Sequence, residues 1–403
     1  MDTTATLTNS LRTRYQNDYE AFLSAERVYD RLAKPVGDEM SRFIKGNEIT
    51  IPFISKMDIG VDDISQVADL TPQELVDADV SVTPTSRGEV LQQSELLRIQ
   101  NYAENFEEKI FQIVKENALE SIDLVAQGIA LKGSLFHRAT ARASLNAGNS
   151  AHRCTEAEFD KAGATLSEFK VASGIDAPIG VGNAMFALIH GDIYYDIRTG
   201  GNVVSIAQYQ KPEIIFNNEL GFLAPFRIIV APWSKVFGAA GLENDSEADT
   251  TLSAAATKLD KTITVASNSN LTAGRYITIG TEELAATHYE TNERVKVASV
   301  SGTEITIVGQ GSNGGLRHNH ANGVAVRNAD SVYPAVWGFK GSIEKWWDPK
   351  TGEFGMLVLD ETQGFVKQWL SDGWKWYGQY ARIVENRLVR GEYASSLDAQ
   401  KRR

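Results

Sequence analysis

The carboxyl-terminal run from Ser371 to Ser395 constrains the fold of this chain more than any other segment. It contains Trp374, Trp376, Tyr377 and Tyr380, and its aromatic and β-branched residues are typical of a strand. We therefore predict one long aromatic strand that closes a domain begun far upstream. The run contains no recognisable catalytic motif.

A long amphipathic helix is predicted between Tyr102 and Gly133. Its apolar residues recur at helical spacing, with Glu and Lys between them: Phe106, Ile110, Ile113, Val114, Ala118, Ile122, Val125 and Ile129. About 30 residues at about 1.5 Å each would give a rod of about 45 Å.

The middle of the chain alternates between helical and strand patterns. A capping box at 155–158 opens a helix with one apolar face, and the run 184–189 reads as a buried strand. Another strand is predicted at 226–230, with 335–339 and 355–359 as its continuation after an interruption. The predicted fold class is α+β.

An aromatic arm precedes this body. Between Ser10 and Ala33 the aromatic residues recur at helical spacing, which predicts an amphipathic helix ended by Pro35 and Gly37. The helix could pack on its own domain or lie on a neighbouring subunit. The residues expected to make such an interface are Tyr15, Tyr19, Phe22 and Tyr29.

A projecting hairpin is predicted after the arm. Ile49, Ile51 and Phe53 alternate with polar residues, and Pro52 favours an edge strand. The return is expected through Val80, Val82 and Val90. The stretch from 57 to 86 has no basic residue and contains Asp62, Asp63, Asp69, Asp77 and Asp79. These carboxylates lack the spacing of a calcium loop, so a partner-facing acidic surface is the preferred interpretation. Removing residues 57–86 is expected to leave a folded body that cannot assemble.

The composition changes sharply between about Thr251 and Ala329, toward Thr, Ser, Gly, Asn and Val. Short alternating stretches at 263–265, 276–279, 295–297 and 305–308 are separated by turn residues. We predict a small all-β module inserted into a loop of the body.

Charge and cysteine content exclude several classes of protein. The formal charge of −12 argues against a protein that grips nucleic-acid phosphates. The single cysteine excludes an intramolecular disulfide framework and fits a reducing compartment. The start of the chain does not read as a secretory signal, and no stretch approaches the roughly 20 apolar residues of a membrane helix.

The sequence offers only weak candidates for chemistry. His318 and His320 could hold a metal if a third ligand lay nearby, the candidates being His288, Glu282 and Glu283. Cys154 lies near His152 but lacks the motif of an activated nucleophile, so a semi-exposed bystander thiol is expected. The tryptophans are interpreted as core and contact residues. We assign no catalytic, cofactor-binding or metal-binding residue and expect no cofactor and no enzymatic activity.

The order of these segments resembles the Johnson fold of tailed-phage and herpesvirus major capsid proteins. Val332–Gly338 and the run from Asp372 to Arg390 resemble the N-four-type coat family. The resemblance implies the following parts: an amino-terminal arm (1–46), an extended hairpin or E-loop (47–93), a spine helix with the peripheral domain (94–175), an axial domain in two parts (176–250 and 330–365), an inserted β-domain (251–329) and a closing strand returning to the peripheral domain (366–403).

The function that this resemblance implies is that of a major capsid protein, whose subunits form the hexamers and pentamers of an icosahedral shell around double-stranded DNA. A separate scaffolding protein and a portal are expected as partners, with a decoration protein as a further possibility and no sequence-specific contact to DNA. Assembly is expected in the host cytoplasm, and the final location is the virion. A minor structural or decoration protein and, less favoured, a soluble α+β enzyme are the alternatives.

Overall fold

The computed structural model describes residues 28–30, 33–36, 48–54, 74, 77–96, 106–140, 145, 147–172, 185–199, 219–223, 226–231, 234–238, 250–269, 271–280, 292–309, 311, 313–327, 331–339, 341–353, 355–363, 369–382 and 384–397. Its helices are α1 Phe106–Leu131, α2 Glu156–Ala172 and α3 Gly191–Thr199 within these ranges. Its strands in the same ranges are β1 Ala33–Pro35, β2 Ile49–Ile54, β3 Asp77–Val82, β4 Thr85–Ser94, β5 Phe136–Arg138, β6 Met185–Ile189, β7 Glu219–Leu223, β8 Phe226–Val230, β9 Phe237–Gly238, β10 Thr250–Thr251, β11 Thr262–Thr264, β12 Tyr276–Ile279, β13 Glu293–Ser301, β14 Glu304–Val308, β15 Ala325–Arg327, β16 Ser331–Gly338, β17 Ile343–Trp347, β18 Met356–Gln363, β19 Trp369–Ala381 and β20 Leu388–Tyr393. The predicted α+β class is confirmed.

The long helix is confirmed as α1. Its 26 residues give a length of about 39 Å, and its buried face includes Val114, Ala118 and Ile122. One position of the predicted apolar stripe is wrong, because Ile113 is exposed. No helix among the described residues is long and apolar enough to span a lipid bilayer.

The described residues fall into two compact units. The first unit consists of the described residues within 35–121 and 344–383. The second unit consists of those within 27–34, 122–343 and 384–403. A five-stranded sheet in the order β1-β17-β19-β18, with β4 also on β19, contains most strands of the first unit. The hairpin β2–β3 is a separate two-stranded sheet.

The second unit contains a seven-stranded sheet in the order β5-β20-β16-β6-β8-β7, with β9 on β16. Strands β6 and β8 are parallel, while β16 is antiparallel to β6 and β20. The fully buried Trp337 packs edge-on against Phe159 of α2 and Tyr393 of β20, with ring centroids 5.6 and 5.9 Å apart. Because large aromatic rings contribute most of the area buried, this cluster is the centre of the core.

The inserted module forms its own six-stranded sheet in the order β10-β15-β12-β13-β14-β11. All of these strands are antiparallel, and one face of the sheet encloses a cluster of Val, Ile and Leu side chains that comes wholly from residues 252–326. The four strands predicted from the sequence in this region are confirmed.

The predicted single closing strand is wrong. Strand β19 ends at Ala381, a 3-10 turn follows at Glu385–Arg387, and β20 then enters the other sheet. The polar residues Glu385, Asn386 and Arg387 interrupt the alternation, and Arg387 N–H donates to the Val384 carbonyl within this turn.

The predicted continuation of 226–230 by later strands is also wrong. The apolar β6 lies between β8 and β16, and β18 pairs with β19 in the five-stranded sheet. A strand buried on both faces suits the centre of a sheet, and the buried residues 186–189 of β6 take that place.

Candidate assembly surfaces

The described part of the hairpin β2–β3 packs on its own unit through its base, where Ile51 and Val80 are partly buried beside Ile49 and Val82. Its register runs from Ile49 opposite Val82 to Ile54 opposite Asp77. Ile49 and Val82 are buried against Trp346 of the five-stranded sheet. A two-stranded ribbon is marginal in water by itself, so this apolar base is what stabilises the hairpin within the subunit.

Beyond the base, the hairpin presents an apolar and acidic surface. Ile54 is 72% exposed and Ile51 is half-buried, while the polar side chains Glu48, Glu74, Asp77 and Asp79 are exposed. The expected interface residues Asp62, Asp63 and Asp69 lie outside the described residues, as does the side chain of Phe53. The described part thus has the composition expected of a contact surface, with apolar residues beside carboxylates.

The expected return of the hairpin through Val90 is wrong. Strand β4, which contains Val90, pairs over its whole length with β19, so the described hairpin ends at Val82. Arg87 of β4 lies over the Trp376 ring and donates hydrogen bonds to the Gly378 carbonyl and the Gln379 side chain. These contacts place β4 in the body of the subunit.

The end of the predicted arm folds onto its own chain. Val28 to Asp30 form a bend and a short 3-10 segment, and β1 follows, so the predicted helix does not reach Ala33. The Asp123 carboxylate accepts hydrogen bonds from the N–H groups of Val28, Tyr29 and Asp30 at 3.2, 2.9 and 3.1 Å.

Tyr29 is therefore an internal residue of its own subunit. Its side chain is 1% exposed and its hydroxyl is hydrogen-bonded to Ser234. Burial raises its pKa to about 12. It is not available to a neighbouring subunit, contrary to the sequence-based expectation, whereas Tyr15, Tyr19 and Phe22 lie outside the described residues.

The buried carboxyl group of Asp123 should make the stability of the folded protein depend on pH. Burial raises its pKa to about 6, although the three N–H donors oppose this shift. The unfolded value is about 3.9, so the folded protein retains a proton that the unfolded chain releases as pH rises above about 4. The resulting stabilisation is complete below about pH 4 and is lost as pH rises through about 6.

We expect the variant Asp123→Asn, which cannot titrate, to lack this loss. The unfolding free energy of the wild type relative to the variant should fall by about 2 kcal/mol between pH 4 and pH 7, as a shift of about two pKa units from an unfolded value near 4 requires. Urea denaturation of both proteins across this range measures the difference. If the unfolding free energies of the two proteins changed in parallel with pH, the raised pKa would not belong to Asp123.

Cys154 is buried in the core of the second unit, not semi-exposed as the sequence suggested. Burial, together with the nearby Glu158 and Asp196 carboxylates, raises the pKa of its thiol well above the ordinary value. The thiolate is the reactive form, so this residue is a poor nucleophile.

We expect Cys154 to resist thiol reagents in the native protein and to react after unfolding. A maleimide probe should label it at least about 100-fold more slowly in buffer than in denaturant, because labelling requires a buried, protonated thiol to open to solvent. Mass spectrometry of timed samples gives both rates. Rapid labelling of the folded protein would contradict its burial.

His318 and His320 are brought together with Glu293. The Glu293 carboxylate lies 2.8 Å from His320 Nε2 and accepts the N–H groups of Arg317 and His318 at 2.9 and 3.1 Å. Burial lowers the pKa of His318 to about 4. No metal-binding cluster is found among the described residues, which do not include His288, Glu282 and Glu283. Glu293 therefore stabilises the loop that precedes β15.

Sequence reasoning missed a buried ion cluster. Glu392 of β20 is 0% exposed and lies 2.7 Å from the Nε atoms of both Arg138 and Arg390. Arg390 also donates a hydrogen bond of 2.6 Å to the Leu131 carbonyl at the end of α1. The alternation of Arg390 and Glu392 was visible in the sequence, but nothing there indicated that β5 would bring Arg138 beside them.

Comparison with solved structures relates this fold to phage capsids. The chain is similar to the capsid of Ralstonia phage GP4, with 8% identity, a TM-score of 0.52, and 92% of this chain and 90% of that chain covered. It is also similar to the cyanophage Pam1 capsid, with 11% identity, a TM-score of 0.50, and coverage of 92% and 93%. A third similar structure is the acid-stable capsid of Helicobacter pylori bacteriophage KHP30, with 8% identity, a TM-score of 0.50, and coverage of 91% and 89%.

No family model and no curated protein matches the chain. The predicted phage-capsid fold is nevertheless confirmed, because the similarity covers nearly the whole chain and nearly the whole of each of these structures. At such low identity the comparison establishes the fold alone.

Proposed function

We propose that this chain is the major capsid protein of a tailed double-stranded DNA bacteriophage and that it forms the hexamers and pentamers of an icosahedral shell. The observation that carries the proposal is the likeness to phage capsids over about nine-tenths of the chain. The subunit's own surfaces support it, since the hairpin exposes Ile54 beside carboxylates.

The proposed mechanism of assembly is the geometry of the contacts between subunits. The hairpin β2–β3 would lie over an adjacent subunit, where Ile51 and Ile54 lose contact with water. Burying apolar area contributes about 25 cal/mol per Å², and a stable contact needs on the order of 1,000 Å² in total. Many such contacts, each repeated by symmetry, would close a shell without any single strong site.

The division into parts follows the same proposal. The arm is assigned to 1–46, the E-loop to 47–93, the peripheral part to 94–175 and 366–403, the axial part to 176–250 and 330–365, and the inserted β-domain to 251–329. The pairing of β4 with β19 takes residues 85–94 out of the E-loop and into the body, and the pairing of β20 with β16 joins the closing segment to the sheet that contains 331–338.

The proposed partners are further copies of the chain, a separate scaffolding protein, a portal, packaged DNA held without sequence-specific contacts and possible decoration proteins. The proposed site of assembly is the host cytoplasm. The proposal includes no catalytic role, and the buried thiol of Cys154 supports this.

Expression of the full chain with and without its candidate scaffolding protein tests the function. We expect closed shells or capsomer-like rings in electron micrographs and fast-sedimenting species in velocity centrifugation. A strictly monomeric protein under all conditions would contradict the proposal. A low copy number in purified particles would instead identify a minor structural or decoration protein.

A further inference from the structure

The turn Thr257–Lys261 of the β-module, called the Leu259 turn below, contains an unusual backbone conformation. Leu259 has φ +75°, and among the described residues no other non-glycine residue has a positive φ. A bulky side chain is rare in this left-handed region, where Gly, Asn and Asp are common. Leu259 is 38% exposed, so part of this residue is accessible to a partner outside the module.

The surrounding loop holds this conformation firmly. Leu259 N–H donates to the Leu316 carbonyl at 2.8 Å, and Asn313 Nδ2 donates to the Leu259 carbonyl at 2.9 Å. Gly315 lies so close that a Cβ there would collide with the Leu259 carbonyl. A strained residue that is held by this many contacts and displayed to solvent indicates a functional constraint.

The Leu259 turn is basic within an acidic protein. Lys258 and Lys261 are exposed on either side of Leu259. Between the two lysines, the Asp260 carboxylate accepts hydrogen bonds from Thr257 N–H and Oγ1 at 2.7 and 2.8 Å, which lower its pKa. Residues 250–327 contain seven Lys and Arg against six Asp and Glu, whereas the whole chain has a formal charge of −12.

The hairpin β2–β3 has the complementary chemistry. Ile54 is exposed at the end of β2, directly opposite Asp77 in the register, and Asp79 is exposed two residues further along β3. An apolar residue beside two carboxylates matches a leucine flanked by two lysines. Complementary charge fixes partner and register more than it adds affinity.

We infer that the Leu259 turn is an intersubunit contact that docks on the hairpin β2–β3 of a second copy of this chain. This inference rests on the proposed assembly of the chain into a shell. Leu259 supplies the apolar centre of the contact beside Ile54, and the two lysines meet Asp77 and Asp79. The contact makes the shell more resistant to dissociation, and the module thereby acts as a clamp between subunits.

The variant Leu259→Asn separates a docking role from a structural one. Asparagine adopts positive φ readily, so the unassembled subunit should melt at the same temperature or about 1–2 °C higher. Shells of the variant should nevertheless dissociate at a denaturant concentration or temperature clearly below that of the wild type. A structural leucine would give the opposite pattern, with a less stable subunit. The control Val308→Thr removes another exposed apolar side chain of the module and should leave shell stability unchanged.

Exchanging the charges of the Leu259 turn and the hairpin β2–β3 tests whether these two surfaces contact each other. Lys258→Glu with Lys261→Glu should place four carboxylates together and lower shell stability, most strongly at low salt. Adding Asp77→Lys and Asp79→Lys should restore it. Lys296→Glu changes another exposed lysine of the same module and serves as the matched control.

The outcomes distinguish this inference from the proposed function. Normal shells with normal stability from the Leu259→Asn and double-lysine variants would overturn the inference and leave the shell function standing. Loss of stability without rescue by the exchanged hairpin would also overturn it, and would direct attention to another acidic partner such as nucleic acid. Failure of the wild type to form any shell would overturn both.

Discussion

Shortening the hairpin is expected to lower shell yield sharply while the subunit stays folded, because the acidic segment between Ile54 and Asp77 is removed, although those two residues remain. The change replaces residues 55–76 with Asn-Gly, so that a two-residue turn joins Ile54 to Asp77, the last pair of the register. The buried base at Ile49, Val82 and Trp346 is retained. Shell yield should fall at least about tenfold, as the loss of 1.4 kcal/mol or more of contact energy would give. Electron microscopy and sedimentation measure the yield.

The thermal unfolding of the shortened subunit is the control for this variant. A melting temperature within about 2 °C of the wild type would show that the fold is intact. The larger deletion of 57–86 suggested by the sequence is not suitable, because it would remove β3 and the first residues of β4. Shells of normal yield and heat resistance from the shortened chain would contradict the role of the hairpin.

Removing the buried carboxylate of Glu392 should cause the largest loss of stability. Glu392→Ala leaves the buried Arg390 and the partly buried Arg138 as neighbouring cations without their shared anion. Breaking a buried ion cluster in this way typically costs about 3–5 kcal/mol. Urea denaturation, with hydrogen exchange of the β20 amides to locate the effect, measures it.

Glu304→Ala provides a control for this second variant. Glu304 is exposed at the start of β14, and its removal should change the unfolding free energy by less than about 0.5 kcal/mol. A loss below about 1 kcal/mol for Glu392→Ala would show that the arginines find other partners. The ion cluster would then have no special part in stabilising the seven-stranded sheet.

Local patterns in the sequence were sufficient for elements whose periodicity is unambiguous. The apolar spacing from Ile110 to Ile122 predicted α1, because a helix repeats its buried face every three to four residues. The alternation around Ile277, Val295 and Ile305 predicted the strands of the β-module for the same kind of reason. The hairpin strand β2 was likewise predicted within two residues of its observed bounds.

Pairings between distant segments could not be predicted in this way. The run ending at Tyr393 has strand character throughout, and only the tertiary structure decides that Ala381 ends one strand and Leu388 begins another in a different sheet. Val90 reads equally well as a hairpin strand or as a strand of the body. The environment of Cys154 depends on residues more than 30 positions away, such as Ile189 and Trp337.

The sequence predicted the chemical character of the candidate interface better than it predicted which residues are exposed there. The acidic character of Asp77 and Asp79 was evident, and both are exposed in the hairpin. Tyr29 failed as an interface residue because the Asp123 carboxylate, 94 residues further along the chain, binds its backbone N–H. The exposed Leu259 could not be singled out from the sequence, because no local pattern indicates that a leucine will adopt a positive φ.

A cryo-electron microscopy map of the particle that contains this chain tests the central claim most directly. The account predicts a shell built of hexamers and pentamers of this chain, with the hairpin β2–β3 of each subunit lying on a neighbouring copy. A shell made of another protein, with this chain absent or present in only a few copies, would contradict it.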